Sequence, residues 1–149
     1  MARPGCRGPL RRALRRADHA VRASGRPETR AETAALVDEY IAEYAAAGFT
    51  KWRVADLDDH LVGRAGFGPH RDGRELGYTI RRDQWGQGLA SEIGAALVTW
   101  HVTHAADISL YAYVAADNLA SRRVVQKIGF ESIGREDYRG VLGRVPRAV

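Results

Sequence analysis

Hydrophobic residues recur along the first organised part of the chain at the spacing of an α-helix. They are Leu36, Val37, Tyr40, Ile41 and Tyr44, which share one helical face. Thr29 and Glu32 form a capping-box sequence, in which a hydroxyl and a carboxylate each satisfy an unpaired amide at a helix start. Gly48 is a stop signal at the other end. The pattern predicts an amphipathic helix between Thr29 and Gly48 that packs against another element.

After this helix the hydrophobic period changes to two, which is typical of strands. Trp52, Val54 and Leu57 predict one strand, and residues 61–67 predict a second. The acidic segment 56–59 predicts a turn, so the two strands are expected to form a hairpin.

Two further strands are predicted downstream. A loop over residues 68–73, marked by Pro69 and by glycines, leads to a strand over residues 75–80. The glycine inside that strand, Gly77, indicates a β-bulge. Residues 108–114 are rich in β-branched and aromatic side chains and predict the next strand.

Between these two strands lies a glycine-rich turn, Asp83-Gln84-Trp85-Gly86-Gln87-Gly88, which runs directly into a helical pattern. Amides at a helix start have no internal partner and sit at the positive end of the helix dipole, and glycines allow an anion to approach the backbone. Neither the nucleoside-triphosphatase loop nor the dinucleotide fingerprint fits these residues. The turn therefore predicts a phosphate-binding site of another kind.

A last helix is predicted to start at Asp117 or Asn118 and to end at Gly129. Its inward face carries four residues at helical spacing: Ser121, Val124, Val125 and Ile128. A hydroxyl on a buried face needs a hydrogen-bond partner, so Ser121 is a candidate functional residue.

The composition fits one globular domain and separates a basic start from the rest. The chain has 149 residues, 45% hydrophobic and 28% charged. Its net charge of +5 combines +7 in residues 1–30 with −2 in residues 31–149, so the positive charge belongs to the start of the chain. We expect an arginine-rich leading segment, 1–28, and a single domain, 29–149. The segment is either a disordered tail, a targeting or nucleic-acid-binding arm, or a degenerate first strand and helix.

Several classes of protein are disfavoured by simple counts. The single cysteine, Cys6, excludes an intrachain disulfide framework, and no apolar run approaches the roughly 18 residues of a membrane span. A cytoplasmic protein is therefore expected. His101 and His104 supply too few ligands for a metal site, so no metal is expected.

Five segments together carry a more specific pattern: Val62-Gly63-Arg64-x-Gly66-Phe67, Glu75-Leu76-Gly77-Tyr78, Trp85-Gly86-Gln87-Gly88-Leu89-Ala90-Ser91-Glu92, Asn118-x-x-Ser121-Arg122-Arg123-Val124 and Lys127-Ile128-Gly129-Phe130. In this order they resemble the GNAT superfamily of acyl-CoA-dependent N-acyltransferases, and within it the ribosomal-protein N-terminal acetyltransferase branch. The resemblance covers the chain from Leu61 to about residue 134. After Ile133 it weakens, and the last strand is expected to be short or missing.

The resemblance implies an α/β (α+β) fold, with a mixed, mostly antiparallel twisted sheet flanked by helices. Two neighbouring strands, here 75–81 and 108–114, would splay apart to admit acetyl-CoA. The pantetheine arm would lie against the backbone of the first strand, and the pyrophosphate against the glycine turn. The implied cofactor-binding residues are Thr79, Ile80, Arg81, Trp85, Gly86, Gln87, Gly88, Leu89, Ala90, Ser91 and Asn118.

The resemblance also implies catalytic roles for Glu75 and Ser121. A carboxylate or an ordered water must keep the attacking amine neutral, and Glu75 matches the acid of this branch. The tyrosine that often protonates the departing thiolate in the superfamily aligns with Val125, so Ser121 is the candidate acid. Helix capping by Asn118 and a backbone bond from Ser121 are the structural alternatives. An amide of Ile80 or Arg81 would stabilise the oxyanion.

The expected activity is direct transfer of acetyl from acetyl-CoA to a primary amine of a small molecule or a protein N-terminus. The alternative is a non-catalytic acyl-CoA-binding or partner-binding module. Nucleic acid and membranes are not expected partners, and a homodimer is left open. Acceptor choice would come from residues 29–48 and the loop 68–73. Three acids there either attract a cationic amine or form a solvated face: Glu39, Glu43 and Asp72.

Overall fold

The structure of the protein, a computed structural model, describes residues 28–70, 72–136 and 140–144. Its helices are α1 (Arg30–Ala47), α2 (Leu89–His104) and α3 (Leu119–Lys127), with a short 3-10 turn at Arg82–Gln84. Its strands are β1 (Lys51–Ala55), β2 (Leu61–His70), β3 (Gly73–Ile80), β4 (Ser109–Val114), β5 (Glu131–Glu136) and β6 (Gly140–Arg144). The predicted leading segment lies outside the described residues except for Glu28.

The six strands form one sheet in the order β1-β2-β3-β4-β6-β5. Every neighbouring pair is antiparallel except β3 and β4, which run parallel. The sheet is therefore mixed and mostly antiparallel, and helices flank it. This architecture confirms the predicted fold class.

The parallel pair joins the two halves of the sheet over a very short distance. β3 and β4 are paired only where Gly73, Arg74 and Glu75 face Ser109, Leu110 and Tyr111. Beyond this joint β3 continues to pair with β2, and β4 continues to pair with β6. The two strands therefore splay apart after Glu75, as predicted, and a cleft opens between them.

The hydrophobic core lies between one face of the sheet and helices α2 and α3. Phe67 and Leu110 are its largest fully buried side chains, and Ile128 and Phe130 close it after α3. The opposite face is covered more lightly, with Tyr40 of α1 lying over charged side chains of β1 and β2. No helix among the described residues is both long and apolar enough to cross a membrane.

The ends of the helices follow the local signals in the sequence. Thr29 and Glu32 form both hydrogen bonds of the capping box, at 3.2 and 2.7 Å, and Gly48 ends α1 in a left-handed conformation. The predicted apolar face of α1 is only partly correct, because Ile41 and Tyr44 are about half exposed. No side chain of α1 is fully buried, since the helix packs on the lightly covered face.

Several strand boundaries differ from the prediction. Leu57 is fully exposed because it lies in a turn. Asp56 closes this turn by accepting hydrogen bonds from the amides of Asp58 and His60. The predicted loop 68–73 is wrong, since β2 continues to His70 and the turn to β3 is much shorter. Gly77 lies in regular register and forms no bulge. Its lack of a side chain serves another purpose, described below.

The last strand is present and short, since β6 has five residues, so only the expectation that it is missing is wrong. β5 and β6 pair as an antiparallel hairpin, with one register irregularity after Ser132. β6 also pairs with β4 from Tyr111 to Val114, so the C-terminal hairpin supports one wall of the cleft. The end of the described chain therefore contributes to the candidate site.

Candidate functional site

A cavity of about 290 Å³ occupies the cleft between β3 and β4. Its walls come from β3, from the end of β4 and from α3, and its entrance on the other side is lined by side chains of α1, β1 and β2. The lining residues that carry polar side chains are Tyr40, Lys51, Arg64, Glu75, Tyr78, Thr79, Tyr113, Asn118 and Ser121. The structure therefore brings both predicted catalytic residues, Glu75 and Ser121, to one cavity.

The backbone of β3 presents hydrogen-bonding groups to this cleft. The Arg81 amide donates to the Val62 carbonyl at 2.9 Å, so it is occupied within the sheet. Because backbone groups alternate along a strand, those of Tyr78 and Ile80 point the other way, into the cleft. The Ile80 carbonyl accepts from the Trp85 indole nitrogen at 2.9 Å. Of the two amides predicted to hold the oxyanion, only that of Ile80 faces the site.

The glycine turn lies at the end of this wall. Gly86 and Gly88 both adopt left-handed conformations, with φ of 77° and 78°. A Cβ atom on either residue would have no neighbour within 4 Å, so the space beside them is open. Among the described residues, no backbone carbonyl accepts from the amides of residues 86–91. The turn has the free amides and the room that an anion requires.

Two side chains predicted to contact the cofactor shape the loop before this turn. The Arg81 guanidinium pairs with Asp83 at 2.6 Å and donates to the Leu61 carbonyl at 3.1 Å, which fixes the loop to β2. The Trp85 ring is 65% exposed, with the Arg82 guanidinium 5.9 Å from its centre. Trp85 is thus anchored by its nitrogen and leaves its ring free at the edge of the cleft.

Helix α3 supplies the facing wall. The Asn118 side chain caps the helix by accepting from the Ser121 amide at 3.0 Å. The capping alternative for Asn118 is therefore realised, although the residue also lines the cavity. Ser121 is half-buried and lines the cavity together with Val125, whose aliphatic side chain offers no proton.

Glu75 lies on the other face of β3. Alternation along the strand places its side chain with Gly77 and Thr79, away from the core. Its cross-strand partners are Gly68 on β2 and Tyr111 on β4, so it stands where the joint ends and the cleft begins. Glu75 and Ser121 therefore approach the cavity from opposite faces of the sheet.

One residue of the site was missed by the sequence reasoning. The Tyr78 hydroxyl is buried in the wall of the cavity and makes no hydrogen bond of normal geometry within the described part of the chain. Burial raises the pKa of Tyr78, and the neighbouring Ser121 hydroxyl lowers it in part. Strand alternation could have identified Tyr78 from the sequence. Tyr78 shares a face of β3 with the buried Leu76, and Ser121 lies on the inward face of α3.

The entrance on the side of α1 carries charges of both signs. Burial raises the pKa of Tyr40, Arg64 lowers it, and Glu28, Glu43 and Glu39 raise it further. The attraction of a cationic amine by acids near this entrance stays a prediction. Arg64 pairs with the buried Glu28 carboxylate at 3.0 Å, and the Lys51 ammonium lies 5.5 Å from the centre of the Tyr40 ring. Asp72 lies away from the cavity and accepts a hydrogen bond from Tyr111 at 2.8 Å. Glu39 is exposed and does not line the cavity.

The two histidines near the end of α2 have separate partners. The ring nitrogen Nε2 of His101 bonds the Ile108 carbonyl at 3.0 Å, and His104 bonds the Trp100 carbonyl at 2.8 Å. Burial lowers the pKa of His101, and the nearby Arg74 lowers it further. Both histidines lie outside the cavity, so they stabilise the fold around α2.

Comparison with known proteins gives a consistent result. The family model described as "Acetyltransferase (GNAT) domain" matches residues 8–131. The uncharacterised N-acetyltransferase YoaA of Bacillus subtilis (strain 168) is 30% identical over 104 residues, which is 66% of this chain and 58% of YoaA. The chain spans about half of the length of the curated relatives it matches.

Solved structures agree in fold. A protein described as a GnaT-family acetyltransferase from Bordetella pertussis superposes with a TM-score of 0.78 at 20% identity, covering 92% of this chain and 89% of that one. Mycobacterium smegmatis RimJ, solved in complex with CoA-disulfide, superposes with a TM-score of 0.64 at 21% identity, covering 78% and 62%. Ribosomal-protein acetyltransferases are also among the similar structures.

Proposed function

The chain belongs to the GNAT acetyltransferase family, and from this premise we propose that it is an N-acetyltransferase that transfers acetyl from acetyl-CoA to a primary amine. The observation that carries the proposal is the cleft that opens where β3 and β4 cease to pair after Glu75. Residues suited to binding acetyl-CoA, to accepting a proton and to assisting a leaving group all line it. Acetyl-CoA here is a co-substrate rather than a resident cofactor.

The splayed strands and the exposed backbone groups of the cleft support a bound pantetheine arm. The arm carries two amide groups, which can pair with exposed strand backbone as an added strand does. The backbone groups of Tyr78 and the Ile80 amide point into the cleft and supply donors and acceptors for it. The arm would in this way fill the gap between the two halves of the sheet.

The glycine turn supports binding of the pyrophosphate. Free amides of residues 86–91 converge at the start of α2, where the helix dipole favours negative charge. Gly86 and Gly88 leave room for the phosphate oxygens beside the backbone. The exposed ring of Trp85 would then lie beside the nucleotide end of the ligand.

In the proposed reaction the amine attacks the thioester carbonyl directly. Glu75 accepts the proton that the amine loses, either itself or through one water, and the Ile80 amide donates to the oxygen that gains negative charge. A carbon–nitrogen bond forms, the carbon–sulfur bond breaks, and the sulfur leaves with the electron pair. The Ser121 hydroxyl donates to that sulfur from the opposite face, and the thiolate finally takes its proton from water.

Titration and turnover test the proposal together. We expect calorimetry to show one acetyl-CoA per chain and mass spectrometry to show acetylated product from members of a primary-amine panel. Tight binding without transfer to any amine would contradict the enzyme and favour the alternative, a non-catalytic acyl-CoA-binding module. Absence of binding to a folded protein would contradict both.

A further inference from the structure

The Tyr78 hydroxyl is the least explained polar group at the site. It is buried, yet it has no hydrogen-bond partner of normal geometry in the described residues. Leaving such a group unsatisfied is costly, so native proteins keep one where a ligand or a functional partner completes it. By contrast, the hydroxyl of Tyr113, which also lines the cleft, bonds the His70 ring at 3.1 Å.

Ser121 is the neighbour whose hydroxyl affects the pKa of Tyr78 after burial has raised it. The two side chains come from β3 and α3 and line the same wall of the cavity, beside the aliphatic Val125. A serine hydroxyl has a single proton and rotates freely unless a neighbour fixes it. When a neighbouring group donates a hydrogen bond to Ser121 Oγ, the proton of the Ser121 hydroxyl is free to point in another direction.

We propose that Tyr78 is a positioning residue, which donates to Ser121 Oγ and thereby aims the Ser121 hydroxyl at the thioester sulfur. This inference rests on the proposed function. Hydrogen bonds of this kind are often long without substrate and tighten when it binds. Burial raises the pKa of Tyr78, so the phenol stays protonated and remains a donor at neutral pH. Tyr78 transfers no proton itself, and the thiolate takes up its proton as described above.

The variant Tyr78→Phe tests this inference, with Tyr111→Phe as its matched control. Tyr111 lies on the neighbouring strand outside the cavity, and its hydroxyl bonds Asp72 at 2.8 Å. We expect Tyr78→Phe to unfold at the same or a higher temperature than the wild type, while kcat falls about tenfold with little change in the acceptor KM. Tyr111→Phe should unfold at a lower temperature and keep its kcat.

Combination with Ser121→Ala separates positioning from a purely structural role. Because Tyr78 acts through Ser121, the double variant should be no slower than Ser121→Ala alone. An additive loss, or a Tyr78→Phe variant with unchanged kcat, would overturn the inference. Should the wild type transfer no acetyl group, the proposed function fails separately. The inference about Tyr78 is then tested by comparing the affinity for CoA with the affinity for CoA that lacks its thiol. Tyr78→Phe should reduce the ratio of these two affinities.

A second, independent observation concerns Lys51 at the entrance on the side of α1. The Lys51 side chain crosses the sheet over positions without side chains: a Cβ atom on Gly77 would lie 3.0 Å from its Cε, and one on Gly68 3.3 Å from its Nζ. Within the described ranges, Lys51 makes no ion pair, whereas Arg64 is neutralised by Glu28. Gly68 faces Glu75 in register, so the ammonium lies on the same face of the sheet as the proposed base.

We infer that the acceptor amine carries a carboxylate a few bonds from its nitrogen, as an α-amino acid does, and that Lys51 binds this group. The inference rests on the proposed function, because it places the amine at Glu75. A cation at this point attracts an anionic substituent and disfavours a second positive charge. The glycines at positions 68 and 77 are what allow the lysine to lie flat and reach the cavity.

Matched acceptors test this inference: amino acids and the corresponding amino acid amides. We expect the wild type to prefer the carboxylate by about tenfold in kcat/KM, and Lys51→Met to abolish the preference. Lys51→Arg should retain it, as should the control Lys127→Met, which removes a lysine of α3 outside the cavity. A preference that survives Lys51→Met, or a wild type that prefers the amide, would overturn it. If no acceptor is acetylated, that result contradicts the proposed function and leaves the inference about Lys51 to be tested by binding. Calorimetry on CoA-saturated protein then compares the affinities for the amino acids and for their amides.

Discussion

The variant Gly88→Ala separates the role of the glycine turn in the fold from its role in binding. Gly88 has φ of 78° and open space around its Cα, so an added methyl group meets no protein atom. The cost to the fold is the left-handed conformation alone, about 1 kcal/mol, which lowers the melting temperature by about 2–4 °C. The methyl group would, however, enter the space in which a pyrophosphate oxygen is expected to meet the free amides.

Gly48→Ala is the matched control for this experiment. Gly48 has φ of 75°, no atom within 4 Å of its Cβ position, and lies at the end of α1, outside the cavity. Both variants should lose the same stability, since both force alanine into the same conformation. Only Gly88→Ala should bind acetyl-CoA at least about tenfold more weakly, a loss of about 1.4 kcal/mol.

Calorimetric titration measures the affinity of the two variants for acetyl-CoA, and thermal unfolding measures their stability. Equal affinities for acetyl-CoA would refute the assignment of the pyrophosphate to this turn, whatever the two melting temperatures are. A much larger loss of stability in Gly88→Ala than in Gly48→Ala would show that the turn has a structural role that the geometry does not reveal.

Three further outcomes follow from the structure. Glu75→Gln should lower kcat/KM by about 100-fold, and an unchanged kcat/KM would exclude Glu75 as the base. Gly73→Ala places a Cβ atom 2.0 Å from the Ser109 carbonyl oxygen in the joint between β3 and β4. It should destabilise the protein by about 1–3 kcal/mol or more in denaturant unfolding, unlike Gly134→Ala, whose Cβ has no neighbour within 4 Å. Burial lowers the pKa of His101, so the unfolded chain binds the extra proton. Stability should therefore be full above about pH 6.5 and fall as the pH drops below that value, and His101→Gln should reduce this dependence.

The features that the sequence predicts best are those with local causes. The capping box at Thr29 and the cap at Asn118 satisfy backbone groups within a few residues, and the glycine before α2 supplies a left-handed conformation. Their positions could be predicted without knowledge of the rest of the chain. The splayed strand pair came from the resemblance to a family, since no local pattern reveals where two distant strands cease to pair.

The errors concern features that depend on neighbouring strands. Pro69 lies within β2 because β1 begins only opposite Gly66, so β1 does not pair with β2 at Pro69 and no strand on that side requires an amide proton. The pattern predicts a bulge at Gly77, but this glycine instead makes room for the side chain of Lys51, which comes from β1, two strands away in the sheet. Tyr78 was overlooked because its unsatisfied hydroxyl exists only once β3 and α3 are packed together.

The short joint between β3 and β4 has a consequence for the behaviour of the protein in solution. Strand edges with unpaired backbone groups are templates on which other chains can add, and most proteins protect them. In the described part of this chain, two such edges face each other inside the cleft instead of lying at the border of the sheet. If acetyl-CoA binds in this cleft as proposed, it would cover backbone groups on these edges and so lower the tendency of the protein to aggregate.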